Sequence, residues 1–527
     1  MEAVMQSDKQ PKAIVVVGAG PAGLTTAYEL LSRSRGIRVI VLEALDAVGG
    51  ISRTVRHGGN RMDLGPHRFF SKSKEATDWF LSMLPMQGAP AMDDRKLGRP
   101  CVLAEGGPDP EKIDRVTLRR TRISRIFFQR KFFDYPISLK PQLFVNMGLW
   151  TTIVAGCSYA RAVLFPRKER SLEDFYVNRF GKKLYSMFFE RYTENLWGRH
   201  PSQIDPSWGA QRVKGVSVLA VLKEALAKAV GAKGRRNDES WLVDWFLFPK
   251  FGAGQLWETA AEKIGELGGE IRLGTRAVAF RRDSTGRVCA VTCERNGERD
   301  EIPCDVLVSS MPVKDLVAGF PDAPTDVSRI ASGLPYRDYR ILGAVLKRLR
   351  LRNTTTVKTF GNIVPDDWIY VHDRSVRMGR FQISNNFSPY VVENPESETF
   401  VGLEYFCSEG DDLWTMSDAE FAALGVREMI ALGMVESADD VVSTLSVRVE
   451  KAYPAYFDTY EEFPKLREWL DTIPNLFCVG RNGQHRYNNM DHSMCTGFEA
   501  ARAILAGSSD RTALWNVNTE KEYHESK

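Results

Sequence analysis

Cysteine and histidine are scarce in this 527-residue chain, at eight and seven residues. The cysteines (101, 157, 289, 293, 304, 407, 478 and 495) form no C-x-x-C pair. That spread argues against a zinc ribbon and a disulfide framework, and predicts reduced, mostly buried thiols. His485 and His492 have no third partner at ligand spacing, so no metal is expected. An excess of charge of one sign is also missing. The formal net charge is +4, too small to imply a nucleic-acid partner. Long apolar runs are absent too. The longest apolar region, Leu143 to Phe165, is interrupted by Asn146 and Arg161. It predicts a buried helix pair before a transmembrane span, and leaves peripheral membrane contact open. The first residues, MEAVMQSDKQPK, lack an apolar core behind positive charge. No signal peptide is therefore expected, and with reduced thiols this predicts a cytoplasmic protein. No internal repeat or low-complexity tract is present. The one local charge cluster, Arg115, Arg119, Arg120, Arg122, Arg125 and Arg130, reads as a solvated face, with a phosphate or anionic-lipid contact as the lesser alternative.

What is present begins with a sharply organised first stretch. Ala13 to Val17 is a run of small and β-branched apolar residues, the pattern of a buried parallel strand. Gly18-x-Gly20-x-x-Gly23 follows, then a helical stretch from Leu24 to Ser32, a second apolar run from Arg38 to Leu42, and Glu43. This is a βαβ unit with a dinucleotide fingerprint. Its glycines permit a tight turn, close backbone approach to a pyrophosphate and close helix–strand packing, while Glu43 sits where a carboxylate accepts from a ribose hydroxyl. A purely structural glycine turn is the bland alternative.

Beyond it, residues 75 to 245 read as helix-rich and aromatic, with a loop at Gly231 to Asp238. Strand patterns return at Ile271 to Phe280, Val288 to Glu294, Val306 to Ser309, Tyr339 to Arg348, Trp368 to Val371, Thr399 to Phe406 and Leu476 to Val479, before a helix from Met494 to Leu505. The expected fold class is α/β (α+β), with a Rossmann-type βαβ domain and a discontinuous mixed-sheet and helical substrate domain. The expected division is 12–75, 250–312 and 474–508 for the dinucleotide-binding domain, 76–249 for a helix-rich domain, 313–473 for a mixed α/β substrate domain, and 509–527 for a loose tail.

The continuation of the fingerprint distinguishes the dinucleotide. Val48-Gly49-Gly50-Ile51-Ser52-Arg53-Thr54 and Asp63-Leu64-Gly65-Pro66-His67 follow the acidic residue. Near the far end stand Phe477-Cys478-Val479-Gly480-Arg481 and then Asp491-His492-Ser493, after which a helix is expected to begin. These segments resemble the amine-oxidase-like flavoproteins. The resemblance implies non-covalent FAD, with Gly49, Gly50 and Arg53 beside its pyrophosphate. It also implies that Gly65, Gly480, Arg481, Asp491, His492 and Ser493 contribute to the flavin site, with the final helix aimed at the ring.

The middle of the chain narrows the branch. Asp63 to Ser71, Phe133-Asp134-Tyr135-Pro136-Ile137, Arg191-Tyr192-Thr193-x-x-x-Trp197-Gly198 and Trp208-Gly209-Ala210-Gln211-Arg212 resemble, in order, segments of UDP-galactopyranose mutases. So do Trp368-Ile369-Tyr370, Arg380, Ala452-Tyr453-Pro454 and the run from Gly480 to Asp491 that holds Tyr487 and Asn489. The resemblance spans roughly residues 12 to 505. It implies that His67 lies over the flavin, that Arg212 and Arg380 hold a sugar-nucleotide diphosphate, and that Tyr370, Tyr453 and Tyr487 add hydroxyl donors. Trp197 and Asn489 would border the sugar. Two guanidinium forks suit a diphosphate because each donates planar, charge-assisted bonds. The implied activity is a pyranose/furanose mutase with reduced flavin N5 as nucleophile, primed by an external reductant.

Each of these residues also has a plainer reading: His67 a core histidine, the arginines surface charges, the tyrosines core or rim, Trp197 packing. The sequence departs from the mutases at Gly65-Pro66-His67, Ser71-Lys72-Ser73 and Asn489, which leaves the sugar and the reaction open. The rival class is an FAD-dependent oxidoreductase, amine oxidase-like or desaturase-like, passing electrons from a small or lipid substrate to an acceptor. A non-catalytic redox sensor is the third reading.

Overall fold

The computed structural model describes residues 12–135, 137, 141–206 and 245–518. Arg212, with the Trp208 segment and the expected loop at 231–238, lies outside the described residues.

Five parallel strands form the first sheet, in the order Leu476–Cys478, Val306–Ser309, Lys12–Val17, Ile37–Leu42, Glu270–Arg272. Three stretches far apart in sequence therefore build one sheet. Four of its strands are apolar on both sides because both faces are covered, while the edge strand Glu270–Arg272 is only partly buried. Ile14, Val16, Val39 and Val41 meet Leu24, Leu30, Leu256, Met494 and Phe498 of the helices Pro21–Arg33, Gly254–Glu266 and Met490–Leu505. Val15, Val17, Ile40 and Leu42, one residue out of step, meet Leu316, Ile330 and Leu466 of helices on the other face. Phe280 and Val291, from a three-stranded antiparallel sheet, join them there.

A seven-stranded mixed sheet follows, in the order Val441–Pro454, Tyr336–Leu346, Thr399–Cys407, Arg380–Ile383, Trp368–Val371, Ser124–Phe128, Lys131–Asp134. Trp368–Val371 and Ser124–Phe128 run parallel; the other neighbours are antiparallel.

The stretch read as helix-rich is mixed. Its helices include Leu172–Phe188 and Glu190–Trp197. It also holds four strands, two of which extend the seven-stranded sheet. Two of these strands, Thr117–Thr121 and Ser124–Phe128, and the turns beside them carry the arginine cluster, and most of that cluster is not a solvated face. Arg120 is buried, donating to Asp93 at 3.1 Å, Asp94 at 2.9 Å and the Phe387 carbonyl at 3.0 Å. Arg125 donates to buried Asp366 at 2.9 Å, and Arg119 lies 4.3 Å from the Trp245 ring centroid. Only Arg115 and Arg130 are exposed.

Three further expectations need correction. Within the stretch expected to be a loose tail, Thr512–Asn516 is a helix with Leu514 and Trp515 buried. Leu143 to Phe165 does form a helix pair, Pro141–Met147 and Leu149–Leu164, but its large side chains are mostly exposed. The last long helix starts at Met490, so Asp491, His492 and Ser493 lie inside its first turn. All eight cysteines are free thiols, four of them buried.

Arg120→Ala removes a buried cation shared by two buried carboxylates, so it is expected to destabilise the protein by about 3 kcal/mol. Arg115→Ala, which breaks an exposed pair with Glu262, is expected to cost under about 1 kcal/mol. The urea midpoint of the first unfolding transition checks both; equal midpoints for the two variants would contradict the assignment.

Candidate active site

A cavity of about 1790 Å³ runs from the parallel sheet to the mixed sheet. Its first wall is the glycine loop. Gly18 adopts φ +99°, and a Cβ there would sit 2.1 Å from Ser310 Oγ; one at Gly23 would sit 1.9 Å from the Gly18 carbonyl oxygen. These two glycines are required by the protein's own packing. Gly20 differs. A Cβ on it would meet only Gly50 Cα, at 3.9 Å, and would otherwise point into open space. Its small size matters for what the cavity holds. No side chain caps the helix that opens at Pro21, so its positive end faces the cavity.

Glu43 is buried and accepts the Ala19 N–H at 2.7 Å and the Leu45 N–H at 3.0 Å. It therefore fixes the loop and still has lone pairs for a ribose hydroxyl. Gly49 (φ +100°) donates its N–H to the Ala19 carbonyl at 2.8 Å, and Arg53 donates to the Gly50 carbonyl at 2.9 Å. Burial lowers the Arg53 pKa.

A second helix end meets the first. The helix Met490–Leu505 is capped by Asn489 in a reciprocal arrangement: the Asn489 side chain accepts from the His492 N–H, and His492 Nδ1 accepts the Asn489 N–H at 3.2 Å. Asp491 accepts from Ser71 Oγ at 2.8 Å, and Ser493 Oγ donates to the Asn489 carbonyl. Gly480 (φ +75°) allows the helix ends to approach, since a Cβ there would come 2.9 Å from Ala22 Cβ. Two positive helix ends, an open glycine and an arginine along one groove suit the pyrophosphate and ring of a dinucleotide such as FAD.

The opposite wall is a row across the mixed sheet. Tyr370 pairs in register with Arg380, and Arg380 with Glu404. Arg380 donates from Nε to Glu404 at 2.7 Å, and its Nη2 lies 2.6 Å from the same carboxylate and also bonds Tyr453 Oη. Tyr453 stacks on Tyr487 at 5.7 Å, and Arg481 lies 4.8 Å from the Tyr487 ring centroid. Arg481 itself bonds the carbonyls of Asn488 and Ala452, at 2.8 and 2.9 Å. Tyr192 reaches Tyr370 edge-on at 5.5 Å and stacks on His372 at 5.1 Å. Trp197, buried at its helix end, lines the same cavity.

His67 lines this cavity too. Burial, reinforced by Arg481 and Arg380, pushes its pKa down to about 3, so the ring is neutral at physiological pH. Its Nδ1 is a buried atom with no protein partner. Burial alone pushes His372 down to about 3. Burial raises the Glu404 pKa, opposed by Arg380.

The structure therefore gathers every described candidate into one cavity or its immediate supports. Sequence reading missed Glu404, Tyr192 and His372 as site residues. The signal for Glu404 was available: a lone carboxylate inside the apolar run Phe400 to Cys407.

Gly20→Val is expected to fold normally and to lose FAD, with overpacking costing about 2 kcal/mol of binding, roughly a thirtyfold fall in affinity. Flavin absorbance per protein and far-ultraviolet circular dichroism check this. Full flavin content in the variant would misplace the loop.

Comparisons with known proteins give the family and the fold. A model of flavin-containing amine oxidoreductases matches residues 21–505. Protoporphyrinogen oxidase 2, chloroplastic/mitochondrial, of Arabidopsis thaliana is 24% identical over 523 residues, covering 94% of each chain. Among solved structures, reduced UDP-galactopyranose mutase superposes with a TM-score of 0.73 at 20% identity, covering 98% of this chain and 99% of that one. A redesigned putrescine oxidase gives 0.55 at 14% identity, covering 94% and 99%. At these identities the structural likeness establishes the fold. The family match spans most of the length, and the chain belongs to the flavin-containing amine oxidoreductases, with FAD as its cofactor.

Proposed function

We propose that this FAD enzyme acts on a pyrophosphate-linked sugar nucleotide, as a pyranose/furanose mutase. The observation that carries this reading is the donor-rich wall facing the dinucleotide groove. It offers Arg380, Arg481, Tyr370, Tyr453 and Tyr487, with Arg380 paired to the buried carboxylate of Glu404. The cavity, about 1790 Å³, also exceeds the usual size of a single-ligand pocket, roughly 300–1,000 Å³. It has room for a cofactor and a second, oxygen-rich molecule.

The chain's own groups divide the work in this reading. Arg380 does not act as an open fork, because its Nε and Nη2 are held by Glu404 and Tyr453. It contributes a fixed positive wall, and the tyrosines and Arg481 supply directional donors. Arg212 is the second arm of the clamp. His67, neutral and uncharged toward the ligand, orients a sugar hydroxyl against the flavin face, and Trp197 and Asn489 border the sugar. Placing the sugar carbon against the flavin supplies proximity. Reduced FAD, when bound, supplies the nucleophilic nitrogen for this class of reaction.

A second reading has its own support. Phe180, Phe188, Phe189 and Trp197 make the helical end of the cavity apolar, as an oxidoreductase of an apolar substrate requires. Stoichiometry separates the two. The mutase reading expects the reduced enzyme to interconvert UDP-galactopyranose and UDP-galactofuranose with reductant consumed only for priming. One acceptor or reductant equivalent per product would replace the mutase by the oxidoreductase.

The clamp is tested by calorimetry with UDP. Arg212→Ala is expected to weaken binding by about 1.5–3 kcal/mol at unchanged FAD content. Arg380→Ala should lose more, because it leaves Glu404 as an unpaired buried carboxylate beside the phosphates. Arg380→Ala/Glu404→Ala should recover part of that loss. A wild-type protein that binds no UDP would end the sugar-nucleotide reading.

A further inference from the structure

The helix pair that follows the cavity rim is built inside out. The helix Leu149–Leu164 turns small residues toward the body of the protein: Ala155 and Ala162 are buried. They let it lie close on the helix Leu172–Phe188, where Ser158 Oγ accepts the Lys183 N–H at 3.1 Å and a Cβ on Gly181 would come within 2.7 Å of Tyr159 N. The large apolar residues face the other way. Leu149 and Trp150 are 79% and 77% exposed, and Ile153 and Leu164 share their face. Phe144 and Val145 of the helix Pro141–Met147 extend the exposed surface. A helix packed for water has the reverse arrangement. Nine of the seventeen exposed large apolar side chains among the described residues fall between 135 and 165, so this is a patch and not ordinary scatter.

The charge around the patch says what covers it. From Tyr135 to Lys168 there is no Asp or Glu, while Lys140, Arg161 and Lys168 are basic; Arg167 is paired with Glu173 and Asp174, at 3.6 and 3.4 Å. Lys131, Arg161 and Lys168 are exposed at its margins. An apolar face with basic margins is complementary to an anionic bilayer: apolar groups enter the acyl boundary and cations meet headgroup phosphates. Among the described residues no helix is long and apolar enough to cross a membrane, so a helix of this kind lies on the surface. We propose that the helix pair 141–164 is a docking face that seats this enzyme on an anionic lipid surface. Tyr135 and Ile137 line the cavity, and only three residues lie between Ile137 and Pro141, about 14 Å of chain at most. Docking thus holds the cavity rim close to the headgroup layer.

The test uses the full-length, FAD-loaded protein and sucrose-loaded vesicles of phosphatidylglycerol with phosphatidylcholine, or of phosphatidylcholine alone. Most of the wild type is expected to sediment with the anionic vesicles at low salt and little with the neutral ones. Leu149→Asp/Trp150→Asp should reduce binding at least tenfold with unchanged flavin content and thermal midpoint. Cys157, exposed on the same face, should react rapidly with a maleimide in solution and slowly on vesicles. Wild-type protein left in the supernatant, equal sedimentation of the double variant, or labelling unchanged by vesicles would overturn the proposal. So would slow labelling in solution. In a concentration-dependent dimer dissolved by the double change, it would assign the face to a second copy; in a monomer, it would assign the face to the chain's own residues 207–244.

Discussion

Two positive helix ends meet at one cavity, and most of the architecture exists to hold them there. The helices that begin at Pro21 and Met490 each present about half a positive charge at their N-termini, and both ends line the same groove. Like ends repel, so the convergence needs tight packing behind it and an anion in front of it. The packing comes from glycines: a Cβ at Gly497 would sit 2.8 Å from the Ala22 carbonyl oxygen, and one at Gly480 2.9 Å from Ala22 Cβ. The pyrophosphate of FAD is an anion that suits this place. The parallel sheet then fixes the height of both helix ends, because Val17 and Cys478 finish strands in adjoining register with Ser309 between them.

The opposite wall solves a different problem. A guanidinium set into a cavity wall loses its water, and Arg380 recovers that loss through Glu404, which sits directly across from it in the sheet. A buried pair of this kind contributes little net stability. What it supplies is position: sheet register sets the spacing of Tyr370, Arg380 and Glu404, and Tyr453 locks the remaining freedom. The neutral state of His67 follows from the same wall, since burial and the two nearby arginines disfavour its protonation.

The two halves of the site were unequally legible in the sequence. Four of the parallel strands were plain because burial on both faces leaves a nearly unbroken apolar run, and Gly18, Gly20, Gly23 and Glu43 lie within one short unit. The run expected from Ile271 to Phe280 is instead two strands, Glu270–Arg272 and Arg276–Arg282, in different sheets. The strands Thr117–Thr121, Ser124–Phe128 and Lys131–Asp134 were hidden, because their arginines mimic a surface. The partners of Arg120 and Arg125 are Asp93, Asp94 and Asp366, the last more than two hundred residues away, where no local pattern can point. The start of the last helix was misplaced by four residues because its cap pairs Asn489 with His492, outside the usual Ser or Thr with Glu or Gln signature. The apolar helix pair was recognised as helical, but hydropathy does not say whether an apolar face meets protein or something else.

The helix Leu172–Phe188 joins these levels. Its Tyr176, Phe180 and Phe188 line the cavity, while its other side carries the exposed helix pair. Gly181, at φ +75° and ψ 155°, breaks it in the middle. That break is what lets Tyr159 approach: any side chain at 181 would be strained by the backbone angle and would strike the neighbouring helix. The small inward residues of one helix and the glycine break of the next thus have one cause, the close seating of an outward-facing apolar surface. The same seating fixes the aromatic lining on the inner side, so the cavity wall and the exposed face are two sides of one packed layer.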